Sequence, residues 1–156
     1  MKRSQFVGSL AILAFASTLP ARANRAYAVN HTDAEWKAML GPDRYFILRQ
    51  GGTEPAFSSP LNGEKRAGLY HCAGCTLAVF TSKTKYDSGE GWPSFWNVLP
   101  GTVRTQADYQ IVEERTEVHC RRCGGHLGHL FDDGPPPTHL RYCIDGLAVR
   151  FAPGRD

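Results

Sequence analysis

Residues 120–145 read Cys120-Arg121-Arg122-Cys123-Gly124-Gly125-His126-Leu127-Gly128-His129-Leu130-Phe131-Asp132-Asp133-Gly134-Pro135-Pro136-Pro137-Thr138-His139-Leu140-Arg141-Tyr142-Cys143-Ile144-Asp145. A Cys-x-x-Cys pair, two histidines three apart and a lone cysteine fall within one short stretch. Upstream, Cys72-Ala73-Gly74-Cys75 repeats the paired spacing, and 44 residues separate the two pairs. Two thiolates three positions apart can grip one ion from a tight turn, and Gly74 and Gly124 suit such turns. Two turns together supply the tetrahedral four-sulfur set that Zn²⁺ takes in closed structural sites. Cys72, Cys75, Cys120 and Cys123 are therefore expected to hold one structural zinc per chain. The competing arrangement is two disulfides, which an oxidising compartment allows. Disulfides within Cys-x-x-Cys are usually redox-active, however, and no thioredoxin-like βαβ pattern accompanies these.

Outward from the clamp, the chain shows short apolar runs between Gly and Pro punctuation. Strands are expected at 68–71, 77–80, 109–113, 117–119, 127–131, 141–145 and 147–151. Asp145-Gly146, between two apolar runs, suits a tight turn or a bulge. Thr32-Asp33-Ala34-Glu35 has capping-box spacing. It should open a short helix over 33–40 that Gly41 and Pro42 end. A second short helix should run through Tyr45, Ile47 and Leu48 to Gly51-Gly52. Residues 53–66 read as a long packed loop. The class is mainly β, with helices confined to the N-terminal third.

The N-terminus reads differently. Lys2 and Arg3 precede an apolar run from Phe6 to Leu19, and Ala21-Arg22-Ala23 fits a small-x-small cleavage site, with Ala26-Tyr27-Ala28 as a second. Residues 1–23 are expected to be a signal peptide, 24–31 a flexible leader and 32–156 the domain. The apolar run is short of the ~20 residues of a comfortable membrane span, which disfavours an uncleaved anchor. The expected location is outside the cytoplasm, in a bacterial periplasm. The whole chain carries a formal charge of +3, and Lys2, Arg3 and Arg22 account for all of it. The domain itself is neutral and has no electrostatic footprint for nucleic acid or anionic lipid.

The fifth cysteine, Cys143, has no partner among the pairs. In an exported protein an odd cysteine points to a reactive thiol or an intermolecular bond. On a strand, Arg141, Cys143 and Asp145 share one face and Tyr142 and Ile144 the other. A guanidinium beside a thiol favours the nucleophilic thiolate, whereas a lone buried cysteine is otherwise an inert small hydrophobe. Strict alternation would point His126 and His129 in opposite directions, and a bend at Gly128 would bring both rings to one site. Taken alone, they read first as satisfied structural histidines. Gly91-Trp92-Pro93-Ser94-Phe95-Trp96 is an aromatic run that suits either a core or a small apolar pocket.

Together these motifs resemble the methionine sulfoxide reductase B family over about residues 34–152. The matching stretches are Arg49-Gln50-Gly51-Gly52-Thr53-Glu54, Tyr70-His71-Cys72-Ala73-Gly74-Cys75, Tyr86-Asp87-Ser88-Gly89-Glu90-Gly91-Trp92-Pro93-Ser94-Phe95, His126-Leu127-Gly128-His129-Leu130-Phe131, Asp133-Gly134-Pro135 and Arg141-Tyr142-Cys143-Ile144. The resemblance implies a β-tent of two antiparallel sheets with a structural zinc. It implies thiol-dependent reduction of methionine R-sulfoxide, free or in oxidised proteins and peptides, by a monomer. It makes Cys143 the nucleophile, His126 and His129 the groups that place and protonate the sulfoxide oxygen, and Arg141 the support of the thiolate. Trp92, Phe131 and Asp145 would line the substrate pocket. Two departures from the family pattern matter. Glu90 stands where many members carry a resolving cysteine, so an external thiol, such as a thioredoxin- or glutaredoxin-like carrier, is expected to recycle Cys143. Asp145 stands where the family usually has asparagine, and when ionised it opposes the thiolate. The rival readings are a non-catalytic zinc-bearing β-tent binding module and a cysteine hydrolase, for which no nucleophile elbow or protease signature is present.

Overall fold

The structure, a computed structural model, describes residues 27–111 and 114–155. The expected signal peptide and residues 24–26 of the leader lie outside it. The helical segment α1 spans Asp33–Gln50. Nine strands follow: β1 (Gly68–Cys72), β2 (Ala78–Thr81), β3 (Lys85–Tyr86), β4 (Ser94–Phe95), β5 (Val103–Asp108), β6 (Arg115–Cys120), β7 (His126–Phe131), β8 (Arg141–Ile144) and β9 (Val149–Pro153). They form two antiparallel sheets, ordered β2-β1-β9 and β3-β4-β8-β7-β6-β5. Among the described residues α-helix is confined to the N-terminal third, and short 3₁₀ turns occupy 60–63, 82–84 and 146–148.

The capping box forms as its spacing predicts. Thr32 Oγ1 accepts the Glu35 N–H at 3.3 Å, and Glu35 returns the bond to the Thr32 N–H at 2.7 Å. Gly41 is left-handed in φ (69°) and interrupts the segment, which is why two short helices were legible there. Gly51 ends it at φ 68°, an αL cap with no Cβ penalty. Trp36, Leu40, Ile47 and Leu48 are the residues α1 buries.

The core lies between the sheets. Tyr70, Phe80, Phe95 and Tyr142 pack ring on ring, with centroids 4.4–5.8 Å apart. Tyr142 and Ile144 of β8 belong to this core. Alternation therefore turns Arg141 and Cys143 to the opposite face of the six-stranded sheet.

Two expectations are corrected. Residues 109–111 are not a strand: Tyr109 and Ile111 are exposed, and the strand before β6 is β5, whose mainly polar face water can cover. Val112 and Glu113 lie outside the described residues. Asp145-Gly146 forms the expected tight turn, though not one that joins paired strands: Asp145 O accepts the Ala148 N–H at 3.0 Å. Asp145 caps the 3₁₀ turn 146–148, where the chain crosses from one sheet to the other. Residues 27–31, placed in the leader, lie against the domain. The Val29 N–H donates to Arg122 O at 3.0 Å, and the Tyr27 ring meets His119 edge-on at 6.2 Å.

Candidate active site

The two cysteine pairs sit on matched turns. In each, the first cysteine's N–H donates five residues ahead (Cys72 to Leu77, Cys120 to Gly125) and its carbonyl accepts the N–H four residues ahead, from Thr76 or Gly124. All four bonds are 2.8 Å long. The left-handed residue that closes each turn is Thr76 (φ 62°) or Gly124 (φ 70°). Gly124 therefore serves the turn as expected, but Gly74 does not. A Cβ on Gly74 would lie 3.4 Å from Cys123 Sγ, so its smallness leaves room for the sulfurs. The four Sγ atoms lie within 4.8 Å of one another, with Cys72–Cys123 at 3.6 Å and Cys75–Cys120 at 3.5 Å. Those separations exceed a covalent S–S bond of ~2.05 Å and suit sulfurs ~2.3 Å from one central ion. None of the five cysteines is in a disulfide.

On the other face of β8, register assembles the second site. Cys143 is paired with Ser94 on β4 and with His129 on β7, and Arg141 with Phe131. Directly opposed residues share a face, so Cys143, His129, Phe131 and Arg141 converge. His126 joins them because β7 bulges: Val118 pairs with Gly128 but His119 with His126, so Leu127 is an extra residue and the alternation shifts by one. Gly128 beside the bulge has φ +150°, and a Cβ there would lie 2.0 Å from Cys143 O. The His126 and His129 ring centroids are 5.2 Å apart. Trp92 arrives from the segment before β4, which is tied to β8 by the Ile144 N–H donating to Pro93 O at 2.9 Å.

Each functional side chain has a fixed partner. His129 Nε2 lies 2.8 Å from Asp108 Oδ2, which also accepts from Arg115 at 2.8 Å. His126 Nδ1 lies 2.8 Å from Glu117 Oε1, and its Nε2 faces Asp145 Oδ2 at 3.7 Å. An ionised carboxylate can only accept, so both rings donate to their carboxylates, His126 through Nδ1 and His129 through Nε2. Arg141 is forked onto Asp133 by two 2.7 Å bonds, with its guanidinium 4.2 Å above the Phe131 ring. Asp145 Oδ1 accepts the Glu54 N–H at 2.9 Å. Glu54 in turn accepts from Gly146 (2.5 Å) and Leu147 (3.0 Å), and its carbonyl accepts the Trp92 indole N–H (3.0 Å).

The electrostatics are not those of an activated resting thiolate. Burial pushes the Cys143 thiol up; Arg141 pulls it down, while Asp145 and Glu90 push it up again, leaving it at about 11. The neighbouring guanidinium acts in the expected direction but is outweighed. Burial also raises Asp145 to about 6, against the pull of the Glu54 N–H and of His126. Burial lowers His129 more than Asp108 raises it.

Trp92 also lines an open cleft of about 560 Å³ beside this site. Cys143 and Phe131 are not among the described residues of its wall. Asp108, Glu117, Asp133 and Glu54 escaped attention as site residues. Glu54 and Asp133 sit inside matched motifs and were within reach. Asp108 carried no local signal, since its partner is 21 residues away in sequence.

Comparison with known proteins decides the family. The SelR domain family matches residues 40–153. A peptide methionine sulfoxide reductase MsrB of Leptospira interrogans is 52% identical over 126 residues, covering 80% of this chain and 96% of that protein. Proteins of the same name from Agrobacterium fabrum and Pseudomonas putida are 50% and 48% identical, each over 80% of this chain and 93% and 95% of their own. The chain belongs to the MsrB family. It is thus a member of a family of oxidoreductases acting on a sulfur group, and the two-sheet architecture and the four-cysteine cluster agree with that membership.

Proposed function

We propose that the chain, acting as an exported monomer, reduces the R epimer of methionine sulfoxide to methionine with Cys143 as nucleophile. The observation that carries this reading is the register: Cys143 lies between Ser94 and His129, with a second imidazole 5.2 Å from the first. A sulfoxide sulfur accepts a nucleophile only as its oxygen is protonated, so the reaction needs a thiolate and an acid together. Cys143 attacks sulfur, and the oxygen leaves methionine and ends on Cys143 as a sulfenic acid. The substrate sulfur gains the two electrons that Cys143 loses. An external thiol then attacks the sulfenic acid, releasing water and a mixed disulfide, and a second thiol restores Cys143.

His126 and His129 place the oxygen and pass it the proton. Burial keeps His129 below the ordinary histidine range, which suits it to hold a water while His126 faces the acid Asp145. Arg141, anchored by Asp133, supplies the charge that offsets part of the thiolate's desolvation. Trp92 and Phe131 receive the methyl group. The clamp is read as a zinc site because its four sulfurs already stand at tetrahedral spacing. Zinc there contributes folding free energy and offers no open position for water. Residues 1–23 direct export, and the reductant is then a periplasmic thioredoxin- or glutaredoxin-like carrier or a small thiol.

The test is turnover of the two separated epimers of blocked methionine sulfoxide with several thiol donors. Consumption of the R epimer alone, lost in Cys143→Ser, is expected. Equal use of both epimers, or full activity in Cys143→Ser, overturns the reading.

A further inference from the structure

Phe57 combines two features that folding alone does not favour. Its ring is 72% exposed, and its φ is +65°. A non-glycine residue in the left-handed region is strained, and such strain clusters at binding sites. The conformation is held in place. The Phe57 N–H donates to Gly91 O at 2.7 Å, and the Ser58 N–H and hydroxyl both donate to Pro55 O. Gly91 is itself left-handed (φ +94°), and a Cβ on it would lie 2.8–2.9 Å from Phe57 and Ala56. Loop 55–58 is thus locked on the residue before Trp92. At its other end Glu54 holds the Trp92 indole and the Asp145 carboxylate.

Phe57 and Trp92 line the same cleft, with Tyr86 and Pro93. Its volume of about 560 Å³ is that of a small-molecule site. Of the two residues that receive the methyl group only Trp92 lines it, so the cleft has room for further groups of a substrate. Three of the four charged side chains on its wall, Lys65 being the fourth, are held by bonds within the protein. Glu64 is bonded to Arg66 at 2.6 Å, Lys85 Nζ donates to Asn62 O at 2.9 Å, and Asp87 accepts the Gly89 N–H at 2.9 Å. Beside these polar groups the wall presents the aromatic surface of Phe57, Tyr86 and Trp92, which can seat an apolar side chain.

We propose that this cleft seats the polypeptide flanking the reacting sulfoxide, with an apolar side chain next to that residue resting on Phe57. The proposal rests on the reductase reading and names its substrate class: extended segments of oxidised protein in which methionine sulfoxide neighbours an aliphatic or aromatic residue. The continuity from Phe57 through Gly91 and Trp92 to the Ser94–Cys143 pair is what assigns the cleft to the same substrate.

The experiment uses the full domain and two pentapeptides, each with a central methionine R-sulfoxide flanked by leucine or by glycine. Phe57→Asn removes the ring while keeping a residue that tolerates φ > 0, and Phe57→Tyr keeps the ring. Wild type is expected to prefer the leucine peptide in kcat/KM. Phe57→Asn should cut that preference about tenfold, chiefly through KM, and Phe57→Tyr should retain it. An unchanged preference in Phe57→Asn, or an equal loss in Phe57→Tyr, overturns the proposal and leaves the reductase reading standing. No reduction of either peptide or of free methionine sulfoxide by wild type overturns both.

Discussion

Asp145 is one of the two residues at which this chain departs from the pattern that its resemblance implies, and it works against the chemistry around it. Its carboxylate is buried and raised to about 6, and its charge pushes the Cys143 thiol up. Asparagine keeps the oxygen that accepts the Glu54 N–H. It also adds an N–H facing His126 Nε2, a buried atom without a hydrogen-bond partner among the described residues. Asp145→Asn should therefore lower the pH at which Cys143 becomes alkylated, measured as the rate of iodoacetamide reaction against pH. A stability effect accompanies it. The native carboxyl binds its proton more tightly than the unfolded one, whose pKa is ~3.9. Wild type therefore loses stability as pH rises from ~4 through about 6. The variant should be more stable by roughly 1–3 kcal/mol at pH 7–8, with the gain vanishing towards pH 4 in urea unfolding. A gain independent of pH would show that packing, not charge, is responsible.

Strand β7 does most to build the site, because the bulge before Gly128 turns both of its histidines to one place. A Cβ on Gly128 would run into the Cys143 carbonyl and lie 2.9 Å from Ile144 Cα. Gly128→Ala should force β7 away from β8. It should cost about 3 kcal/mol or more in stability, and with it the His129–Cys143 register. Chemical denaturation together with turnover checks this: a stable, fully active variant would mean that the bend is dispensable. The bend also shows how far the site was legible. Gly128 between two histidines announces a break in alternation, and the Arg141/Cys143 face follows from period two. The clamp follows from spacing, and the kinked helix from its caps. Edge strand β5 does not, since its residues 105–107 are all exposed and show no alternation. Strands β3 and β4 have two residues each, too few for any period to show. Tyr109 and Ile111 look like strand residues and lie in water. Asp108 is brought to His129 only by sheet order, which no local pattern encodes.

At the scale of the whole molecule the two cysteine systems divide the labour. The clamp ties β1 and β6, strands of different sheets, and α1 and residues 27–29 close over it: Arg49 donates to Cys123 O at 3.0 Å, and the Tyr27 ring covers Gly124. With zinc bound, Cys120→Ser or strong chelation should release the metal and unfold the domain, because structural zinc contributes ~10 kcal/mol or more. Metal analysis finding no zinc in folded protein would reject that. The same commitment of four thiols to the clamp leaves Cys143 alone. Glu90, whose charge is felt at Cys143, offers no sulfur to it. After one equivalent of substrate without reductant, Cys143 should therefore carry one added oxygen and react with a sulfenate-selective reagent. Mass spectrometry of the intact chain and its peptides decides the matter. Loss of two hydrogens with Cys143 linked to a clamp cysteine would make the clamp the resolving thiol. It would overturn both the external-thiol cycle and the structural reading of the metal site.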